Sequence, residues 1–145
     1  MVLCFVFLSF SLMDPLEEQA VYLQEKLTGH YNVLPEVQRI KKYELHVTNT
    51  GFCRYKRFFN TGKVEYFSFN LVKFKDLDYS GNTVAGTLYL HTQGDDVIVQ
   101  TYNDRKGGDI DSMSTYMAIP LKDVEAADLN EFAERFRQMS VQLHR

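Results

Sequence analysis

The spacing of apolar residues changes period twice along this chain, and that change limits the fold more than any other feature. Leu16, Ala20, Leu23 and Leu27 recur at intervals of four, three and four, which is one face of a helix. Asp14-Pro15-Leu16-Glu17 supplies the start of that helix. Asp14 is a cap, Pro15 suits the first helical position, and Glu17 can reach back as in a capping box. Gly29 is the expected stop. From Ile40 the period becomes two. Strands are expected at Lys41–Thr48, Phe52–Phe59, Lys63–Phe69, Leu71–Leu77, Val84–Thr92, Asp96–Asn103 and Ser114–Ile119. Turn residues separate them at Asn49-Thr50-Gly51, Asn60-Thr61-Gly62, Ser80-Gly81-Asn82, Gly94-Asp95 and Gly107-Gly108. Val97-Ile98-Val99 is apolar on both faces and predicts a central strand. Pro120 is expected to end the last strand. Helical spacing then returns over Asp128–Leu143, with Leu129, Phe132, Ala133, Phe136, Met139 and Leu143 on one stripe.

The pattern therefore predicts an α+β domain. It has an N-terminal helix, an antiparallel meander of about seven strands forming a curved sheet, and a C-terminal amphipathic helix. The absence of repeats and linkers makes it one domain. Eleven Phe and nine Tyr suit such a sheet.

Ahead of the first helix, Val2–Met13 is a short, nearly all-apolar run without charge. It is too short for a membrane span and of the right length for the apolar part of a secretory signal. Ser9 and Ser11 place small residues at alternate positions, so residues 1–11 read as a signal peptide and residues 12–145 as the mature domain. No cation precedes the apolar run, so the basic start of such a signal is missing. The expectation is a periplasmic or secreted protein. The alternative is a cytoplasmic one in which the run is a buried strand or helix start.

The order of elements over Ile40–Leu143 resembles the pleckstrin-homology-like barrel, two orthogonal sheets closed at one end by a C-terminal helix. Phe69-Asn70-Leu71-Val72-Lys73-Phe74-Lys75-Asp76-Leu77, Gly86-Thr87-Leu88-Tyr89-Leu90 and the strand–Pro–helix ending carry the resemblance. A lipocalin-like barrel is the alternative, on Gly29-His30-Tyr31 after a helix. The first resemblance implies a barrel and, at Lys42 and Arg54-Tyr55-Lys56, an anion site of the kind that binds inositol phospholipids. Lys56 stands where that pattern has Arg, which removes bidentate phosphate geometry. The second implies a carrier with a lumen for a small apolar ligand.

Charge is uneven. Residues 1–75 carry ten Lys/Arg against seven Asp/Glu, and residues 76–145 carry six against twelve. A net charge of −3 argues against binding nucleic acid by bulk charge. Two candidate sites follow. Lys41, Lys42, Arg54, Lys56 and Lys63 form a basic face on the first strands, with Arg54 and Lys56 on one side and Cys53, Tyr55 and Arg57 on the other. Asp104, Asp109 and Asp111 lie in a long Gly-containing loop, although their spacing does not fit an EF-hand. A solvated face and an ordinary hairpin loop are the bland readings of the two.

No catalytic motif is present. There is no HExxH, C-x-x-C, G-x-S-x-G, P-loop or G-x-G-x-x-G. His46 and His91 fall on strands, and Cys53 is expected to be a buried apolar residue rather than a nucleophile. No enzyme activity, cofactor or metal is expected. The reading is a small exported binding module whose partner is an unidentified protein or a small acidic or apolar ligand.

Overall fold

A computed structural model describes residues 14–33, 40–105 and 107–144. The expected leader at 1–11 lies outside the described residues. Helix α1 spans Pro15–His30. Asp14 Oδ1 accepts the Leu16 N–H at 3.1 Å, and Pro15 occupies the first turn. The helix runs past Gly29 and stops at Tyr31, whose backbone is extended. Glycine did not end it, because the following residues are drawn into β-type contacts. Tyr31 bridges to Leu121, and the Asn32 N–H donates to the Pro120 carbonyl at 3.1 Å.

Eight strands follow: β1 (Ile40–Val47), β2 (Phe52–Phe59), β3 (Val64–Asn70), β4 (Phe74–Gly81), β5 (Ala85–Thr92), β6 (Val97–Tyr102), β7 (Ile110–Ser114) and β8 (Tyr116–Lys122). They form two antiparallel sheets of order β1-β2-β3-β6-β7 and β4-β5-β8. The sheets remain separate, so the barrel that either resemblance implies is not closed. The α+β expectation is met by two helices and eight strands in two antiparallel sheets.

Three local departures have plain causes. The strand expected from Leu71 begins at Phe74, because Leu71–Lys73 forms a 3-10 turn. Asn70 Oδ1 caps that turn by accepting the Val72 N–H at 3.0 Å. Pro120 sits inside β8, which is an edge strand. Its carbonyl points outward to Asn32, so its nitrogen faces the same outer side and no β5 ladder bond is lost. Residues 110–112, expected to be loop, belong to β7, which ends at Ser114 where a strand was expected to begin, and the chain then crosses from one sheet to the other through Thr115 alone. The Thr92 N–H and Oγ1 both donate to the Thr115 carbonyl, at 2.9 and 3.2 Å, and pin the crossing.

Helix α2 spans Ala126–Leu143, two residues more than expected at its start. The Glu125 N–H donates to the Asp128 carboxylate at 3.0 Å and fixes that start. Phe132, Phe136 and Met139 are fully buried, and Phe136 stacks on Phe74 at 5.3 Å. The stripe is thus covered by the sheets and by α1. Gln19 of α1 links to Gln138 and Arg135 of α2 at 2.7 and 3.0 Å. Leu88, Leu90, Met117, Ile119 and Leu121 from the small sheet meet Leu45, Cys53, Tyr55 and Phe69 from the large one in a single core.

Tyr31 joins the layers. It lies on the β8 edge, stacks on Tyr43 of β1 at 3.6 Å, and its hydroxyl hydrogen-bonds that of Tyr55 on β2. The β1 edge is covered differently. Gln24 Oε1 accepts the Val47 N–H at 2.7 Å, and Gln24 Nε2 donates to the Leu45 carbonyl at 2.6 Å.

Candidate functional site

The register of the large sheet decides which cations meet. His46 stands opposite Arg54, Glu44 opposite Lys56, and Lys42 opposite Phe58. On the far side of β2, Arg54 pairs with Ser68, Lys56 with Tyr66 and Phe58 with Val64. Since side chains alternate across a strand, Lys42, Arg54, Lys56, Phe52, Phe58 and Tyr66 share the face turned away from the core. Leu45, Val47, Cys53, Tyr55 and Phe69 take the other face and are buried.

The cations lie on the aromatic rings. Lys42 Nζ is 4.5 Å from the Phe58 ring centre, and Lys56 Nζ approaches the same ring at 5.0 Å. Lys56 is also 5.8 Å from Tyr66, and the Arg54 guanidinium is 4.7 Å from Phe52. Each contact lies within the range in which a ring face attracts a cation, and holds the side chain flat against the sheet. The result is an open surface of ordered positive charge over apolar area. Glu44 subtracts one charge at its rim.

The other predicted basic residues separate. Lys41 falls at a register irregularity between Ile40 and Lys42. Lys63 precedes β3 opposite Phe59, on the opposite side of the sheet, where its Nζ is 4.4 Å from the Phe59 ring. Arg57 also turns to that side, as alternation requires, and pairs with Glu65 at 2.5 Å. It lines a cleft of about 440 Å³ with Asn32, Gly86, Thr87, Ala118 and Pro120.

The carboxylates of the 104–111 segment do not converge. Asp109 Oδ1 accepts the Asn103 N–H at 2.9 Å, and the Asp104 carbonyl accepts the Gly108 N–H at 2.8 Å. Asp111 lies on β7 opposite Gln100. Among the described residues, no group of three or more His, Cys, Asp or Glu side chains is placed to hold a metal ion.

Ile98 belongs to an interior strand, as expected of Val97-Ile98-Val99, but is 44% exposed because none of the described elements covers the outer face. Phe52, Phe58, Tyr66, Ile98 and Met113 extend the candidate surface beyond the cations. The parity of the first four was readable in sequence, whereas the strand that carries Met113 and the register that joins them were not. Cys53 is fully buried, its thiol 3.9 Å from the Met117 sulfur, and burial pushes it up to about 12. That excludes a thiolate nucleophile near neutral pH.

Among the described residues, no helix is long and apolar enough to cross a membrane. No family model, curated protein or solved structure matches the chain.

Proposed function

We propose that this protein is a small non-enzymatic binding module that takes an acidic protein partner on the open face of its five-stranded sheet. The observation that carries the reading is the sharing of the Phe58 ring by Lys42 and Lys56, with Arg54 held over Phe52 beside them. Cations held against rings lose less freedom on binding than free surface lysines do. Carboxylates of the partner meet Lys42, Arg54 and Lys56, while Phe52, Phe58 and Tyr66 supply apolar area. A small-ligand carrier is less favoured, because the residues that would line a lumen, such as Leu88, Leu90, Phe69 and Phe136, are packed into the core.

The reading includes an exported protein, periplasmic or secreted, on the strength of the apolar run at Val2–Met13. N-terminal sequencing of the protein from its native cell tests that part; a mature chain beginning at Met1 overturns it.

The binding surface is tested by pull-down from envelope extract with wild type and the Arg54→Glu/Lys56→Glu variant, followed by titration of the recovered partner. Loss of the partner by the variant, with an unchanged melting temperature, supports the surface. Equal recovery by both removes the basic face from consideration.

A further inference from the structure

The sheet edges differ in a way that points to a second docking site. The β1 edge is occupied by the Gln24 side chain, and the β8 edge by Tyr31 and Asn32. Edge β4 bears charges at Lys75, Asp76 and Asp78, and begins under α2 at Phe74. Edge β7 is different. All but the last of its residues are exposed, and apolar side chains project from both of its faces. Ile110 is 49% exposed on one side and Met113 52% exposed on the other, next to Ile98.

An added strand would therefore find apolar neighbours on both of its own faces, with main-chain groups to pair along the edge. The charge selects the strand. Asp109 and Asp111 flank Ile110, and β7 carries no cation. Like charges across a strand pair are destabilising, and opposite ones stabilise it. A second copy would set the same Asp109 and Asp111 carboxylates against these, so like charges disfavour self-pairing along this edge. We infer that β7 is a strand-addition site for an extended basic segment of a partner protein, with cationic and apolar side chains in alternation. This site borders the cationic face, with which it shares Ile98 and Met113, but it uses the edge of β7 and none of the cations.

The test uses a fluorescent synthetic peptide of alternating Lys and Val, its Glu-for-Lys analogue, and two forms N-methylated at alternate residues. Binding to the full chain is read by anisotropy. The Lys peptide is expected to bind and the Glu peptide not. One methylated form is expected to lose binding while the other keeps it, because only every second N–H of an added strand faces β7. Asp111→Lys is expected to weaken binding by about tenfold or more, and Ile110→Lys to do the same. Arg54→Glu/Lys56→Glu is expected not to weaken it. Absence of binding overturns the site, as does equal binding of both methylated forms or full binding by Asp111→Lys. A concentration-dependent dimer that Asp111→Lys dissolves would assign the edge to a second copy and overturn the peptide as its occupant.

Discussion

The side-chain amide of Gln24 stands against Val47 as the peptide group of a neighbouring strand would. It accepts the Val47 N–H at 2.7 Å and returns a donor to the Leu45 carbonyl at 2.6 Å. One helical residue thus satisfies two main-chain groups of an edge strand. Gln24→Ala is expected to lower unfolding free energy by about 1–3 kcal/mol, the cost of leaving such groups without partners. Gln24→Glu keeps the acceptor but loses the donor and places a carboxylate against the Leu45 carbonyl, so it should not restore stability. Urea denaturation measures both, and amide exchange at Val47 should rise in each.

Gly86 has a demand of its own. A Cβ there would lie 2.5 Å from the Tyr79 ring and 2.6 Å from the Ser80 carbonyl. The Ser80 oxygen belongs to the backbone of the paired strand and cannot move freely. Gly86→Ala is expected to destabilise the protein by about 1–3 kcal/mol through overpacking. Thermal denaturation of Gly86→Ala alone and together with Tyr79→Ala checks this. The second change should recover only part of the loss.

Cys53 ties stability to alkaline pH. Its thiol is pushed by burial from the ordinary value of 9.0 up to about 12. The folded state therefore holds a proton that the unfolded state releases above pH 9. The contribution is fully present below pH 9 and is lost progressively as pH rises toward about 12. Burial also raises the Tyr43 and Tyr79 hydroxyls, which act in the same direction. Melting temperature is expected to fall across this window, less steeply in Cys53→Val. The native thiol should resist iodoacetamide at pH 8 and react once the chain is unfolded.

The two faces of the large sheet separate the basic residues in space, and binding should follow that separation. Lys42→Glu should weaken capture of an acidic polyglutamate peptide by about tenfold, with a shallower salt dependence. Lys63→Glu reverses a charge on the opposite side and should leave that affinity close to wild type. Equal losses from the two would mean that the peptide responds to net charge alone.

Phe136 joins α2 to the sheets through Phe74. Phe136→Ala is expected to cost about 3–5 kcal/mol, as loss of a fully buried aromatic ring does. Chemical denaturation measures it.

Periodicity made the helices and most strands legible, because a face that must be buried leaves its mark on every second or every third and fourth residue. Leu23, Leu27, Phe132 and Phe136 are core for that reason. Strand β7 left no such mark, since Ile110-Asp111-Ser112-Met113-Ser114 is exposed on both faces and has no apolar side to alternate. Pro120 misled because its effect depends on whether a strand lies at an edge, which is a property of the sheet and not of its neighbours in sequence. The candidate site was half legible. Alternation placed Arg54 and Lys56 together and set Arg57 apart. The division between Lys42 and Lys63, and the arrival of Phe58 beneath two cations, required the register.

The large sheet takes β1 to β3, the small sheet β4 and β5, the large one again β6 and β7, and the small one β8. Wherever the backbone is severed between β4 and β7, both sheets are divided between the two pieces. Fragments of this chain should therefore be unstructured by themselves, and the intact molecule should melt in a single all-or-none step. A protease that opens one loop would have to wait for the whole domain to come apart before a fragment could leave.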